Sequence, residues 1–344
     1  YAVLHNIKQS GFAGKVYPIN PKADEILDLK AYPSVLAVPD PIDLAVIVIP
    51  GRFVPAALEE CGQKQIPSVV VISAGFREAG REGLEQELEL IKIAHKYNIR
   101  LIGPNCLGVI NTTMNLNATF AAGMPPSGPI AFMSQSGALG TAVLDMAMAG
   151  RIGFSKFVSL GNKADVSEID LMEAWGDDEH SRVILMYIEG VPNGQKFIET
   201  AKKVTRKKPV VAIKSGVTAS GSRAVSSHTG SLAGSEAAYK AAFNQAGIIR
   251  ATSMEALFDY ARAFAYQPPL KGDRIAIVTN AGGPGILATD ALERDGLQIP
   301  RLSQETTEKL LAYLPGAASA ANPVDVLGDA LADRFEVALQ AVLD

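Results

Sequence analysis

Short apolar runs recur along this chain, and each is bounded by a turn and followed by a longer segment with helical spacing. These runs are Leu44–Ile49, Ser68–Ile72, Arg100–Gly103, Ile130–Met133, Val183–Ile188, Pro209–Ile213 and Arg274–Thr279. Continuous Val/Ile/Leu runs are typical of parallel strands that are buried on both faces. The alternation therefore predicts an α/β fold built from doubly wound parallel sheets.

Two stretches rich in Gly and Pro, 121–129 and 266–273, interrupt this alternation. Such stretches are typical of domain boundaries. We therefore predict domains at 1–124, 125–267 and 268–344. A chain of 344 residues is long enough for separate cores, since domains average roughly 150 residues.

Charge and composition exclude several classes of partner. The net charge is −4 and the basic residues are scattered, which argues against nucleic acid. No run approaches the ~20 apolar residues of a membrane span, and no segment resembles a signal peptide. Cys61 and Cys106 are the only cysteines, so we expect no disulfide framework, no metal site and a reducing, cytoplasmic setting.

Both ends of the chain fall within helix-like segments. The chain begins at Tyr1 inside one such segment and ends in an amphipathic stretch, Arg334–Leu343, that has no capping residue. We therefore expect further chain on both sides.

Ligands of doubly wound sheets gather outside the carboxyl ends of the strands, so the residues that follow each run are candidates for a site. Ser136, Gly137 and Ala138 open a helix-like segment, and three small residues there let a phosphate reach free N–H groups. A plain capped helix start is the alternative. The Gly-rich turn of Asn280, Gly282 and Gly283 predicts a second helix start of the same kind.

His228, one of four histidines, lies among small polar residues in the segment 226–234. A neutral imidazole is a competent nucleophile toward phosphorus. No H-x-x-x-H or C-x-x-C spacing accompanies it, which argues against zinc. We interpret His228 as the carrier of a phosphohistidine relay, and a surface-loop histidine without a role is the alternative.

Glu189 follows the run Val183–Ile188 directly. Its carboxylate could accept the Nδ1–H of His228 and leave Nε2 free to attack. A strand-end carboxylate exposed to water is the alternative. Lys22 follows a short strand and could meet a phosphate, or it could simply be solvated. The fingerprint G-x-G-x-x-G is not intact, so a first strand that carried it would precede Tyr1.

Together these motifs resemble the NDP-forming acyl-CoA synthetases, the relatives of succinyl-CoA ligase, over the whole chain. The segments that carry the resemblance are 17–22, 71–76, 101–109, 134–139, 159–165, 187–190, 226–234, 279–285 and 322–325. The resemblance implies a CoA-binding Rossmann-like domain followed by two flavodoxin-like domains. It also implies an ATP-grasp module outside this chain, where ADP or ATP and Mg²⁺ would bind.

The resemblance assigns roles to single residues. His228 matches the phosphorylated histidine and Glu189 its orienting carboxylate, while the two helix starts named above match the holders of the phosphoryl group. The residues that match the CoA rim are Lys22, Ser73, Ala74, Pro104 and Asn105. The implied reaction converts acyl-CoA, phosphate and ADP into the free acid, CoA and ATP, through an acyl phosphate and a phosphohistidine. The implied partner is an ATP-grasp domain or beta subunit in a homo- or hetero-oligomer.

The chain departs from the family pattern at two places. The first Gly-rich strand is absent, and Thr141 stands where succinyl-CoA ligases carry a tyrosine, which weakens the case for a dicarboxylic acid as substrate.

Two alternative functions stay open. One is the acyl-CoA-sensing region of a fused lysine acetyltransferase, which would be expected to lack the reactive histidine. The other is a non-enzymatic CoA- or NAD-binding module.

Overall fold

A computed structural model of the chain describes residues 1–218, 220–221 and 235–343. The chain divides into two compact units, Tyr1–Gln267 and Pro268–Asp344. Each unit contains parallel strands with helices between them.

The amino-terminal part of the first unit contains a small parallel sheet. Its strands are β3 (Leu44–Ile47), β4 (Ser68–Val71) and β5 (Arg100–Ile102), in that spatial order. Helices α1 (Ala2–Gln9), α2 (Val54–Gln63) and α3 (Arg81–Tyr97) and a short hairpin, β1 (Glu25–Ile26) with β2 (Leu29–Lys30), complete it. The apolar run of β4 is buried against Leu58 and Leu90 of the two longer helices, as its composition predicts.

The larger sheet of this unit has seven strands. They are β6 (Gly108–Asn111), β7 (Leu116–Thr119), β8 (Ser127–Ser134), β9 (Phe154–Ser159), β10 (Val183–Ile188), β11 (Val210–Lys214) and β12 (Ile249–Arg250), in the order β12-β11-β10-β8-β9-β6-β7. Its helices are α4 (Gly137–Ala149), α5 (Glu168–Gly176), α6 (Gly194–Thr205), α7 (Glu236–Ala246) and α8 (Met254–Tyr266). Single-turn 3₁₀ helices lie at Val35–Ala37, Gly51–Phe53, Arg77–Ala79 and Thr112–Met114.

Both faces of this sheet are covered, because alternate side chains of each strand point to opposite faces. On β8, Ala131 and Met133 pack into one core, whereas Ile130 and Phe132 pack into the other. From β8 the chain first goes to β9 on one side and then returns to β10 on the other. The carboxyl ends of β8 and β10 therefore form a topological switch point, where a doubly wound sheet has its ligand crevice.

The second unit is smaller. Its strands β13 (Val278–Thr279) and β14 (Val324–Asp325) pair in parallel, and its helices are α9 (Gly282–Arg294), α10 (Gln304–Tyr313) and α11 (Ala332–Leu343). Leu310 and Val326 lie at the centre of its core. Across both units, no helix of the described part is long and apolar enough to cross a membrane.

The α/β class is confirmed, and the predicted strand Val183–Ile188 has these bounds in the structure. The prediction of purely parallel sheets missed the hairpin of β6 and β7, which pairs antiparallel with β9 at the sheet edge. This hairpin turns at Asn115, whose φ of 52° is left-handed, and it mixes polar with apolar residues. Because β6 and β7 precede residue 124 and join the sheet of the following block, that sheet spans the first proposed boundary; the domain limits stay a prediction.

Candidate active site

A cleft of about 1100 Å³ opens at the switch point of the seven-stranded sheet. Six of the predicted site residues line it: Ala74, Asn105, Ser136, Gly137, Ala138 and Glu189. Loops of the small parallel sheet form one wall, and the ends of β8 and β10 form the other. The structure thus brings residues of the predicted CoA rim and of the predicted phosphate site around one cavity.

Helix α4 presents its amino terminus to this cleft. Ser136 is the N-cap, and its Oγ accepts a hydrogen bond from the Leu139 N–H at 3.3 Å. The Oγ of Ser134 fixes the turn before it, since it accepts from the Ser136 N–H and donates to the Ser136 carbonyl. The N–H groups of Gly137 and Ala138 belong to the first turn, where no helix carbonyl precedes them. Together with the helix dipole, this is a site suited to an anion.

Glu189 is only 7% exposed, so it is not a solvent-facing carboxylate. Its backbone is fixed by Gln135, the residue that directly follows β8. The Gln135 Oε1 accepts from the N–H groups of Glu189 at 2.8 Å and Gly190 at 3.0 Å, while its Nε2 donates to the Gly190 carbonyl at 2.9 Å. The Gln135 side chain therefore links the end of β10 to the segment that leads into α4.

Two further residues near Glu189, the partly buried Lys163 and the buried Glu168, were not predicted as site residues from the sequence. Lys163 lines the cleft, and its Nζ donates to the Gly190 carbonyl at 2.7 Å and to Glu168 Oε2 at 3.2 Å. Glu168, the first residue of α5, is fully buried. Burial lowers the pKa of Lys163, although the charge of Glu168 acts in the opposite direction.

The turn before Lys163 explains how its side chain reaches the cleft. Gly161 has a φ of +56°, and a Cβ there would lie 2.3 Å from the Pro104 carbonyl oxygen, so only glycine fits. Lys163 is also left-handed, with a φ of 56°. In the sequence, the segment 159–165 was notable only because it resembles the corresponding segment of the acyl-CoA synthetases. Its Gly-Asn-Lys order was the only signal of a tight turn.

A second polar cluster stiffens the wall made by the small sheet. The Glu78 carboxylate accepts from the N–H groups of Gly75 at 2.6 Å and Phe76 at 3.1 Å. Asn162 Nδ2 donates to Glu78 at 2.6 Å and to the buried Glu87 at 2.8 Å. Burial would raise the pKa of Glu78, but the hydrogen bonds from Asn162, Gly75 and Phe76 outweigh it and leave the pKa below its usual value.

The other three predicted rim residues, Lys22, Ser73 and Pro104, lie outside the cleft lining. Ser73 Oγ accepts from the Ile49 N–H and donates to its carbonyl, which ties the ends of β3 and β4 together. Pro104 is buried, and its carbonyl accepts from the Asn162 N–H at 2.8 Å. Lys22 is exposed, with its N–H bonded to Asn20 Oδ1 at 2.9 Å. Their contribution to CoA binding stays a prediction.

The second predicted helix start lies in the second unit. Helix α9 begins at Gly282, and Asn280, Gly282 and Gly283 are all exposed. The Oγ1 of Thr279 accepts from the Ala281 N–H at 3.0 Å and shapes the turn. The convergence of this helix start with that of α4 stays a prediction, and so does the role of His228, which lies outside the described residues with the segment 222–234.

Among the described residues, no group of three or more His, Cys, Asp or Glu side chains is arranged to hold a metal ion.

Models of three protein families match successive parts of this chain. They are a CoA binding domain over residues 1–112, a succinyl-CoA ligase like flavodoxin domain over 127–264 and a ligase-CoA domain over 275–344. These three successive matches, together with the α/β fold, place the chain in the succinyl-CoA ligase class of proteins.

Individual relatives narrow the family. The chain is 49% identical over 335 residues to the acetate–CoA ligase (ADP-forming) II subunit alpha of Pyrococcus furiosus, and the match covers 97% of this chain and 73% of that one. It is 50% identical over 338 residues to the acetate–CoA ligase (ADP-forming) I of Archaeoglobus fulgidus, of which it spans 49%. This chain belongs to the family of ADP-forming acetate–CoA ligases, which confirms the resemblance.

A solved structure agrees in fold. The dinucleotide forming acetyl-coenzyme A synthetase 1 of Ca. Korarchaeum cryptofilum, in complex with phosphate and ADP, superposes with a TM-score of 0.94 at 42% identity. The match covers 99% of this chain and 74% of that one. The CoA-binding and succinyl-CoA ligase-like flavodoxin domains expected from the resemblance are thus confirmed.

Proposed function

We propose that this chain carries the acyl-CoA and phosphate chemistry of an ADP-forming acid–CoA ligase, an acid–thiol ligase. The observation that carries the proposal is the single cleft that combines the α4 helix start, buried Glu189 and loops of the CoA binding domain. An anion held at the helix start lies on the same cavity as the loops proposed to hold CoA. The names of the relatives support a ligase rather than an acetyltransferase.

The first step joins phosphate to the acyl group. A phosphate oxygen, held by the N–H groups of Gly137 and Ala138, attacks the thioester carbonyl. The carbon–sulfur bond breaks, and CoA leaves as a thiolate that takes up a proton. The product is an acyl phosphate, which conserves the free energy of the thioester in a mixed carboxylic–phosphoric anhydride bond.

The second step transfers the phosphoryl group to His228. Nε2 attacks phosphorus, the bond between phosphorus and the acyl oxygen breaks, and the carboxylate leaves with its electron pair. Glu189 accepts the Nδ1–H and stabilises the cationic ring that forms. An oxygen of the ADP β-phosphate then attacks the phosphohistidine, which releases neutral His228 and ATP. The same steps run in reverse.

The nucleotide step requires a partner. We infer that ADP binds with Mg²⁺ at an ATP-grasp domain or beta subunit outside this chain, in a homo- or hetero-oligomer. The alpha-subunit name of the Pyrococcus relative and the ADP bound in the Korarchaeum structure support this inference. A cytoplasmic location is part of the proposal, since the thiols of Cys61 and Cys106 are both free.

Labelled phosphate tests the proposal. The full-length protein is incubated with acetyl-CoA and ³²P-phosphate, without nucleotide, and the protein-bound label is measured before and after mild acid. We expect an acid-labile label that ADP removes as labelled ATP. His228→Ala should abolish the label without changing the unfolding midpoint.

Two outcomes would overturn the proposal. A labelled His228→Ala variant would exclude the relay. A wild-type protein that binds acetyl-CoA but takes up no label would favour a sensing or CoA-binding module over a ligase.

A further inference from the structure

Lys163 occupies an unusual position for a lysine, because most of its side chain is removed from solvent. Only 14% of its side chain is exposed, and its ammonium group lies between the Glu168 carboxylate and the Gly190 carbonyl. Burying an ammonium is costly unless it is paired and hydrogen-bonded. Glu168 provides the countercharge, and the Gly190 carbonyl accepts a second hydrogen bond from the ammonium group.

The frame around Lys163 is built from two further contacts. Gln135 Nε2 donates to the same Gly190 carbonyl and, at 3.1 Å, to the same Glu168 oxygen. The other carboxylate oxygen of Glu168, Oε1, is buried without a hydrogen bond partner within the part of the chain that the structure describes. Glu168 therefore accepts hydrogen bonds from Lys163 and Gln135, and both of these side chains also donate to the Gly190 carbonyl at the end of β10.

Lys163 also adjoins the CoA side of the cleft. Its neighbour Asn162 bonds Glu78, Glu87 and, through Oδ1 at 3.3 Å, Asn105. Lys163 thus ends a turn that follows β9 of the large sheet and is hydrogen-bonded to the loop after β5 of the small sheet, and its side chain extends to the end of β10. A displacement of this turn would move the carbonyl of Gly190 and with it Glu189.

We propose that Lys163 is a positioning residue: its ammonium group, held by Glu168, fixes the Gly190 carbonyl so that the Glu189 carboxylate keeps its place in the cleft. The inference rests on the proposed function, because Glu189 acts there on His228. It concerns the phosphoryl step and not the binding of CoA.

Lys163→Met tests the proposal, since methionine retains the length of the side chain without its charge. We expect the rate of phosphohistidine formation to fall about 10²-fold, the scale typical of a misplaced catalytic group, with KM for acetyl-CoA unchanged within about twofold. Lys163→Arg, which keeps the cation, should recover part of the rate.

Lys156→Met is the matched control. Lys156 is 20% exposed, lies on β9 in the same unit and forms an ion pair with Asp178, and it is not part of the cleft lining. Its loss should lower the unfolding midpoint as a partly buried ion pair does, while the phosphorylation rate stays near that of the wild type.

A purely structural role for Lys163 makes a different prediction. If the ammonium only compensated the buried charge of Glu168, the double variant Lys163→Met with Glu168→Gln would regain wild-type rate. We expect the double variant to regain stability but to remain slow. A fast double variant, or a Lys163→Met variant with an unchanged rate, would overturn the positioning role.

The wild-type reaction separates this proposal from the proposed function. If the wild type takes up no phosphate label, the ligase proposal fails and carries this one with it. If the wild type is labelled and Lys163→Met is labelled equally fast, only the role of Lys163 is wrong.

Discussion

At the scale of single residues, Glu78 shows how a side chain that the sequence did not single out can fix the conformation of a loop that is predicted to bind CoA. Ser73 and Ala74 were predicted as part of the CoA rim. In the structure, the Glu78 carboxylate takes the N–H groups of Gly75 and Phe76, directly after that rim. The conformation of the loop is thus fixed by the carboxylate of a residue only two or three positions further along the chain.

The lowered pKa of Glu78 predicts a pH dependence of stability. Its pKa lies below the usual 4.5, so its contribution is fully present above about pH 4.5 and is lost as the pH falls through the lower folded value. Glu78→Gln should therefore lower the free energy of unfolding most at pH 6 and above. The difference from the wild type should shrink below pH 4.5, as measured by urea denaturation at each pH.

Glu89→Gln provides the control for this experiment. Glu89 lies on α3, eleven residues further along the chain, and is exposed. Its substitution should change the free energy of unfolding by less than about 0.5 kcal/mol at every pH. A constant difference for Glu78→Gln across the whole pH range would show that its hydrogen bonds do not depend on charge.

At the scale of elements, the start of α4 combines a structural role with a proposed functional one. Ser136 caps the helix, and replacing such a cap by alanine costs about 1 kcal/mol. Ser136→Ala should show this loss in denaturation and should also raise the phosphate concentration needed for half-maximal labelling of His228. Without the cap hydrogen bond, the first turn of α4 is less well ordered, and the N–H groups of Gly137 and Ala138 are oriented less well toward a phosphate.

Ser253→Ala separates the two roles. Ser253 caps α8 in the same way, with its Oγ accepting from the Ala256 N–H at 3.1 Å, and it does not line the cleft. We expect a similar loss of stability and an unchanged phosphate dependence. Equal phosphate dependence in both variants would reduce Ser136 to a plain cap.

Elements that follow a local rule could be predicted from the sequence. The start of α4 follows from an apolar run that ends in Ser-Gln-Ser-Gly, and Glu189 marks a strand end because it directly follows Ile188. Lys163 could not be predicted in the same way. Its inward direction depends on a left-handed backbone and on the Gly190 carbonyl, 27 residues away along the chain. Sequence periodicity carries no information about such a contact.

At the scale of the whole molecule, the first unit joins two sheets through one polar network. The segment 161–164 bonds to residues 103–105 of one block, and its lysine bonds to the end of β10 in the other. The contacts that shape the cleft therefore come from residues far apart in sequence. This is why motifs in the first and second predicted domains fall on one cavity although neither reveals the other.

The second unit enters the mechanism only through the prediction that its helix start serves the same phosphoryl group. Gly283 offers a sharp test, because a Cβ there meets no described atom within 4 Å and its φ is not left-handed. Gly283→Leu should therefore fold normally, with a free energy of unfolding within about 1 kcal/mol of the wild type. A bulky side chain at this helix start would nevertheless block the approach of a phosphoryl group.

We accordingly expect Gly283→Leu to reduce the yield of phospho-His228 while the unfolding transition is retained. Gly316→Leu is the matched control, since Gly316 is also exposed in the second unit and a Cβ there is equally free. Both variants are labelled with acetyl-CoA and ³²P-phosphate in the full-length protein. Two converging helix starts can offset the double charge of a phosphoryl group away from bulk water, whereas one alone would leave part of it uncompensated. A normal yield from Gly283→Leu would therefore remove the second unit from the phosphoryl site and leave the α4 start to hold the group alone.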